Sequence, residues 1–157
     1  MGFAAGTKDK QDFESLQYQY GNEYLPQHIC WNDSYSVGDK QLDEHHKQLL
    51  VILNKACDAC AHGNHRAFPL ILNELLDYVI YHFEEEENYM YGIKYPELET
   101  HKIEHLQFCN TLKGYQQMMD ENNELFSIKL IDLTHTTYLW LCEHILKKDL
   151  QFSSASH

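Results

Sequence analysis

Residues 82–105 of the chain read HFEEEENYMYGIKYPELETHKIEH. His82 and Glu86 are four apart, as are His101 and His105, a spacing that puts the members of each pair on one face of an α-helix. Between the pairs Gly92 stops one helix and Pro96 opens the next. The stretch therefore predicts the joined ends of two antiparallel helices, each carrying metal-ligand side chains on its inner face. Leu72, Leu75, Val79 and Met90 share the face of His82 and Glu86, which extends the earlier helix from about Pro69 to Tyr91. Leu98, Phe108, Leu112 and Met119 share that of His101 and His105 and carry the later one to about Met119.

Two more helices follow from the same periodicity. From about Lys40 to Ala61, His46, Leu49, Leu50, Leu53, Cys57 and Cys60 form one stripe, with Gly63 as the stop. From about Leu125 to Leu150, Leu130, Leu133, Thr137, Leu141 and His144 face inward. Short connections favour antiparallel neighbours, so the expected fold is all-α: an up-down-up-down antiparallel four-helix bundle with an N-terminal arm. The arm holds Trp31 and Tyr35, large aromatics expected to pack along the bundle.

Each helix brings ligand chemistry to the interior: His46; His82 with Glu86; His101 with His105; His144 with Asp149. A single core histidine is ordinarily a structural residue, but four such groups predict one shared centre. Five imidazoles and two carboxylates exceed one four-coordinate zinc site and suit two metals if the carboxylates bridge. Ligand softness alone leaves iron, zinc, nickel and copper open. The step from His144 to Asp149 is five residues, about 500° around an ideal helix, and does not put both on one face. It predicts a π-type irregularity near Lys147 and Lys148.

The neighbours of these residues read as ordinary. His45 is expected to face solvent, because Leu42, Leu49, Leu50 and Leu53 lie on the side of His46. Of Glu84 to Glu87 only Glu86 sits one turn from His82, and the other three are expected to be solvated. His28, His62, His65, His135 and His157 are read as surface residues, and Cys57-x-x-Cys60 as helix-face thiols rather than a redox motif.

At 157 residues one domain is expected, and a net charge of −12 argues against nucleic acid, which needs a basic surface. No apolar run is long enough to span a membrane, and five cysteines are no disulfide framework, so a soluble, cytoplasmic protein is expected. The organisation read is an N-terminal extension over 1–30 with a short amphipathic segment at Phe13, Leu16 and Tyr20, a helical domain over 31–151, and a disordered tail over 152–157.

Several strings then occur in order: Trp31 with Tyr35-Ser-Val-Gly38, Asp43-Glu-His-His-Lys47, His82-Phe-x-x-Glu86, Tyr95-Pro96 before His101-x-x-x-His105, and Trp140-Leu-x-x-His-Ile-x-x-x-Asp149. Together, from Trp31 to Asp149, they resemble the hemerythrins, the bacterial ones in particular. The resemblance implies two iron ions in an oxo- or hydroxo-bridged centre. His101, His105 and His144 would hold one iron, His46 and His82 the other, and Glu86 and Asp149 would bridge them. Dioxygen would bind reversibly, as hydroperoxide, at the open position of the second iron, and azide or nitric oxide are ligands of the same kind. Phe83, Trp140, Leu141 and Ile145, with Leu49, would wall the ligand pocket. No catalytic residue is implied, and the leading expectation is an oxygen carrier or store. An oxygen or redox sensory input domain of a bacterial signalling protein is the alternative, with a di-iron oxidase or peroxidase behind it.

Overall fold

The computed structural model describes residues 27–120 and 126–155. The amphipathic segment expected at Phe13 to Tyr20 lies outside them. Four long helices carry the fold: α1 Lys40–Ala61, α2 Phe68–Gly92, α3 Leu98–Asp120 and α4 Phe126–Glu143. A five-residue π turn, His144–Lys148, follows α4 and leads into the short α5, Asp149–Ala155. Around the bundle, α1 packs on α2 and α4, and α3 on α2 and α4. No strand occurs among the described residues, and none of their helices is long and apolar enough to cross a membrane.

Local chemistry sets the helix ends. Asp39 caps α1, its carboxylate accepting the Leu42 N–H at 2.9 Å, and Gly63 beyond the other end takes φ 62°. Pro69 lies in the first turn of α2, where its missing N–H costs nothing. Gly92 is the last helical residue of α2, but the left-handed conformation expected at a helix stop falls on Lys94, φ 55°. The Tyr95 N–H then reaches back to the Met90 carbonyl at 2.9 Å and closes the turn into α3.

The N-terminal arm is fastened to α1 by polar contacts. The Ile29 N–H donates to Asn54 Oδ1 at 3.0 Å, and Asn54 Nδ2 donates to the Ile29 carbonyl at 2.9 Å. The Lys47 ammonium lies 5.2 Å from the centre of the Trp31 ring, and Asp43 accepts both the Ser36 hydroxyl and the Val37 N–H. Replacing Asn54 by Ala leaves two part-buried backbone groups without partners, a loss of about 1–3 kcal/mol. At about 2–4 °C per kcal/mol the melting temperature should fall by several degrees; an unchanged midpoint would mean the arm adds nothing to stability.

The interior has two apolar clusters separated by a polar layer. The larger contains Leu49, Leu53, Leu72, Val79, Phe83, Phe108, Leu112, Leu141 and Ile145, and the smaller Val37, Leu42, Met90, Tyr95 and Phe152. Along α1 the order is Leu42, His46, Leu49; along α2 it is Phe83, Glu86, Met90. The histidines and carboxylates thus lie between the clusters, which shut water out from both sides. Phe152 belongs to this seal and is wholly buried, so the tail expected to be disordered from 152 is helical to Ala155. An apolar ring one turn past Asp149 has nowhere cheaper to go than the end of the bundle.

Candidate metal centre

All seven ligand candidates are buried and brought together by the structure: His46 from α1, His82 and Glu86 from α2, His101 and His105 from α3, His144 and Asp149 across the π turn. Helical phase aims the first five inward, but His144 and Asp149 converge only because the turn widens. The Asp149 N–H bonds the His144 carbonyl five residues back, so the two side chains point the same way.

The carboxylates divide their oxygens between two groups of histidines. Glu86 Oε1 lies 3.5 Å from His46 Nε2 and 3.7 Å from His82 Nε2, while Oε2 lies 3.3 Å from His101 Nε2 and 3.1 Å from His105 Nε2. Asp149 Oδ2 lies 3.2 Å from His46 Nε2, and Oδ1 3.2 Å from His101 Nε2 and 3.1 Å from His144 Nε2. Two groups of possible ligands result: Glu86 with His101, His105 and His144, and His46 with His82, Glu86 and Asp149. Adjacent ligands of an ion bound at about 2.0–2.2 Å lie about 3 Å apart, which is the separation found here. His46 Nε2, His82 Nε2, Glu86 Oε1 and both Asp149 oxygens are buried without a hydrogen bond. Orphaned polar atoms at this density are costly unless a cation satisfies them, so the donor set fits a pair of metal ions.

Aromatic rings and outer carboxylates hold the imidazoles in place. Phe83 stacks on His105 with centroids 3.7 Å apart, Trp140 on His144 at 4.3 Å, and Phe108 on Trp140 at 3.9 Å. Leu49, Leu141 and Ile145 are fully buried beside them, Phe83 nearly so, and Trp140 is half-buried. His105 Nδ1 donates to Glu87 Oε1 at 2.8 Å. His144 Nδ1 faces Glu104 at 3.6 Å, and Glu104 accepts from Lys148 at 3.0 Å.

Two sequence expectations are corrected at this layer. Glu87 is not merely solvated charge, because the Glu87 carboxylate orients a ligand candidate on the next helix. His45 does not face solvent. It is buried between α1 and α2, its ring 5.0 Å from that of Tyr81, 6.0 Å from Tyr78 and 5.6 Å from His82. Burial pushes its imidazole below the ordinary value. One helical step of 100° separates it from His46, and two tyrosines across the groove decide its exposure. Among the other histidines, His28 and His62 are exposed and His135 is half-buried; the side chain of His65, and His157, lie outside the description. Cys57 and Cys60 are buried, free thiols pushed up to about 12 and about 11, chiefly by burial, and are unreactive as thiolates.

Without metal the layer balances its charge with protons. Complete burial pushes Glu86 up, but the surrounding imidazoles, His82 first, outweigh it and hold Glu86 well below the carboxylate range; Asp149 is lowered too. His46 and His101, which burial would depress, are instead raised to about 9 by contact with Asp149 and Glu86. His82 and His144 are pushed down by burial, to about 3 and about 4. Metal must therefore displace protons from His46 and His101, so uptake at neutral pH should release protons and weaken as the pH falls below about 9. Titration calorimetry in buffers of different ionisation enthalpy measures that release. Heats independent of buffer would contradict it.

A four-helix bundle with a buried layer of imidazoles and carboxylates sharing their oxygens defines the class: a helical cation-binding domain. Residues 37–154 match the family described as the hemerythrin HHE cation binding domain, and the chain belongs to the hemerythrin family. It is 30% identical over 129 residues to a bacteriohemerythrin of Clostridium acetobutylicum, covering 79% of this chain and 98% of that one. A hemerythrin-like protein of Naegleria gruberi is 30% identical over 82% of this chain and 93% of its own length. A myohemerythrin of Theromyzon tessulatum is 29% identical with the same coverage. The fold is also that of a crystal structure of a leucine-to-phenylalanine variant, 26% identical, with a TM-score of 0.68 over 82% of this chain and 96% of that chain.

Proposed function

We propose that the chain is a non-haem di-iron protein that binds dioxygen reversibly, as a carrier or store, and does no catalysis. The observation that carries this reading is the unequal sharing around the two carboxylates. Three histidines, His101, His105 and His144, gather on Glu86 Oε2 and Asp149 Oδ1; two, His46 and His82, gather on the opposite oxygens. His101, His105 and His144 would hold one ion and His46 and His82 the other, with Glu86 and Asp149 shared between them, so the two-histidine end would be one ligand short, and a diatomic molecule would bind there. Bound iron supplies the electrons that dioxygen accepts and returns; the protein supplies position and dryness.

The residues around the pair do the rest. Phe83 and Trp140 fix the planes of His105 and His144 by stacking, while Leu49, Leu141 and Ile145 exclude the water and protons that would make oxidation irreversible. The name carried by the Clostridium and Naegleria relatives suits the same reading. The five free cysteines suit a reducing, cytoplasmic compartment. The test is iron content together with the visible spectrum of reduced protein before and after air. A pair of irons per chain, with a charge-transfer band that appears in air and vanishes under vacuum, is expected. Less than a pair, or a spectrum indifferent to air, would overturn the reading.

A further inference from the structure

The outer nitrogens of His105 and His144 at one end of the centre are treated differently from those of His46 and His82 at the other. In all five the Nε2 atom faces the carboxylates, so with Nε2 given to a metal ion Nδ1 would carry the proton and point outward. At the three-histidine end, His105 Nδ1 donates to Glu87 Oε1 at 2.8 Å. His144 Nδ1 faces Glu104, which Lys148 holds from the last position of the π turn. At the two-histidine end, His46 Nδ1 and His82 Nδ1 are buried and have no hydrogen-bond partner. An imidazole whose N–H leans on a carboxylate pushes more electron density to its other nitrogen, and one without an acceptor donates less.

Resting on the di-iron reading, we propose that Glu87, supported by Glu104 and Lys148, makes the two metal positions unequal: the three-histidine end fills first and keeps the higher charge. The two-histidine end, with the weaker donors, fills second and favours the ferrous ion. Glu87 acts through His105 and is a positioning residue. The same asymmetry leaves the more easily reduced ion where the vacancy is.

The experiment compares wild type, Glu87→Gln and the control Glu85→Gln, whose carboxylate bonds Gln41 at 3.1 Å instead of a histidine. Cobalt(II) added to metal-free protein, followed by visible absorption, should bind wild type in two resolved steps. Glu87→Gln should weaken the first step by about 10–100-fold and spare the second, while Glu85→Gln matches wild type. In the iron-loaded protein, the two one-electron potentials should draw together in Glu87→Gln, by about 59 mV for each tenfold loss in the preference for ferric over ferrous ion. A merely structural role would shift both steps alike and leave the gap unchanged. Two ions bound with equal affinity in wild type, or equal effects of both substitutions, overturn the proposal alone. A chain that takes up no second ion overturns the di-iron reading and this proposal together.

Discussion

Glu86→Ala should leave a chain that holds at most one metal ion, with affinity for the pair reduced by more than about 100-fold, beyond what changing an outer-shell partner costs. Among the described residues Glu86 is the one carboxylate that lies within 4.0 Å of all five histidines, and it is wholly buried. Its removal takes one oxygen from each group of histidines and, on the di-iron reading, would leave Asp149 as the single shared carboxylate. It also strips His46 and His101 of an anion that keeps them protonated in the metal-free state, so the apo form of the variant suffers as well. Glu85→Ala, one residue away, should change metal content by nothing measurable, since the Glu85 carboxylate accepts from Gln41 and contacts none of the seven ligand candidates among the described residues. Metal analysis after gel filtration decides the matter. Equal losses in the two variants would mean that α2 presents a different face to the centre.

Removing metal from the wild-type protein should cost as much stability as any single substitution. Ligand binding stabilises by about 4.1 kcal/mol at a free concentration 1,000 times Kd, and in a chain of this size each kcal/mol is worth about 2–4 °C. Chelation should therefore lower the melting temperature by about 8–16 °C. The pH dependence of the metal-free protein has a worked-out sign. His46 and His101 bind protons more tightly folded than unfolded, so their contribution is complete below about 6.5 and is lost as the pH rises through about 9. His82 and His144 bind protons more weakly folded, at about 3 and about 4, so stability also falls as the pH drops below about 6.5. Apo stability should peak near neutrality and fall on both sides, and the alkaline fall should vanish in the loaded protein. Thermal denaturation across pH with and without metal measures this; an apo midpoint that rises steadily from neutral to alkaline pH would contradict the charge balance described here.

Much of the architecture was readable because one helix face repeats every three to four residues. The stripe through His46, Leu49, Leu53 and Cys57 gave α1, and the stripes through His82 and Glu86 and through His101 and His105 gave α2 and α3, because amphipathic periodicity is a local property. The π turn was readable for the opposite reason. His144 and Asp149 are five apart, a spacing no regular α-helix can satisfy, so the mismatch itself announced the distortion found at His144–Lys148.

What the sequence determined alone was therefore which faces turn inward and which residue types they carry, because backbone geometry fixes side-chain direction within a helix. What only the tertiary structure decided was what each side chain meets. His45 is buried because Tyr78 and Tyr81 stand across the α1–α2 groove, and Glu87 matters because His105 lies opposite on α3. Phe152 is ordered because Met90, Tyr95 and Leu42 leave it a place. The split of Glu86 and Asp149 oxygens between three histidines and two is likewise a contact between helices. Periodicity along one chain segment carries no information about the segment packed against it, and the asymmetry of this centre is made entirely by such partners.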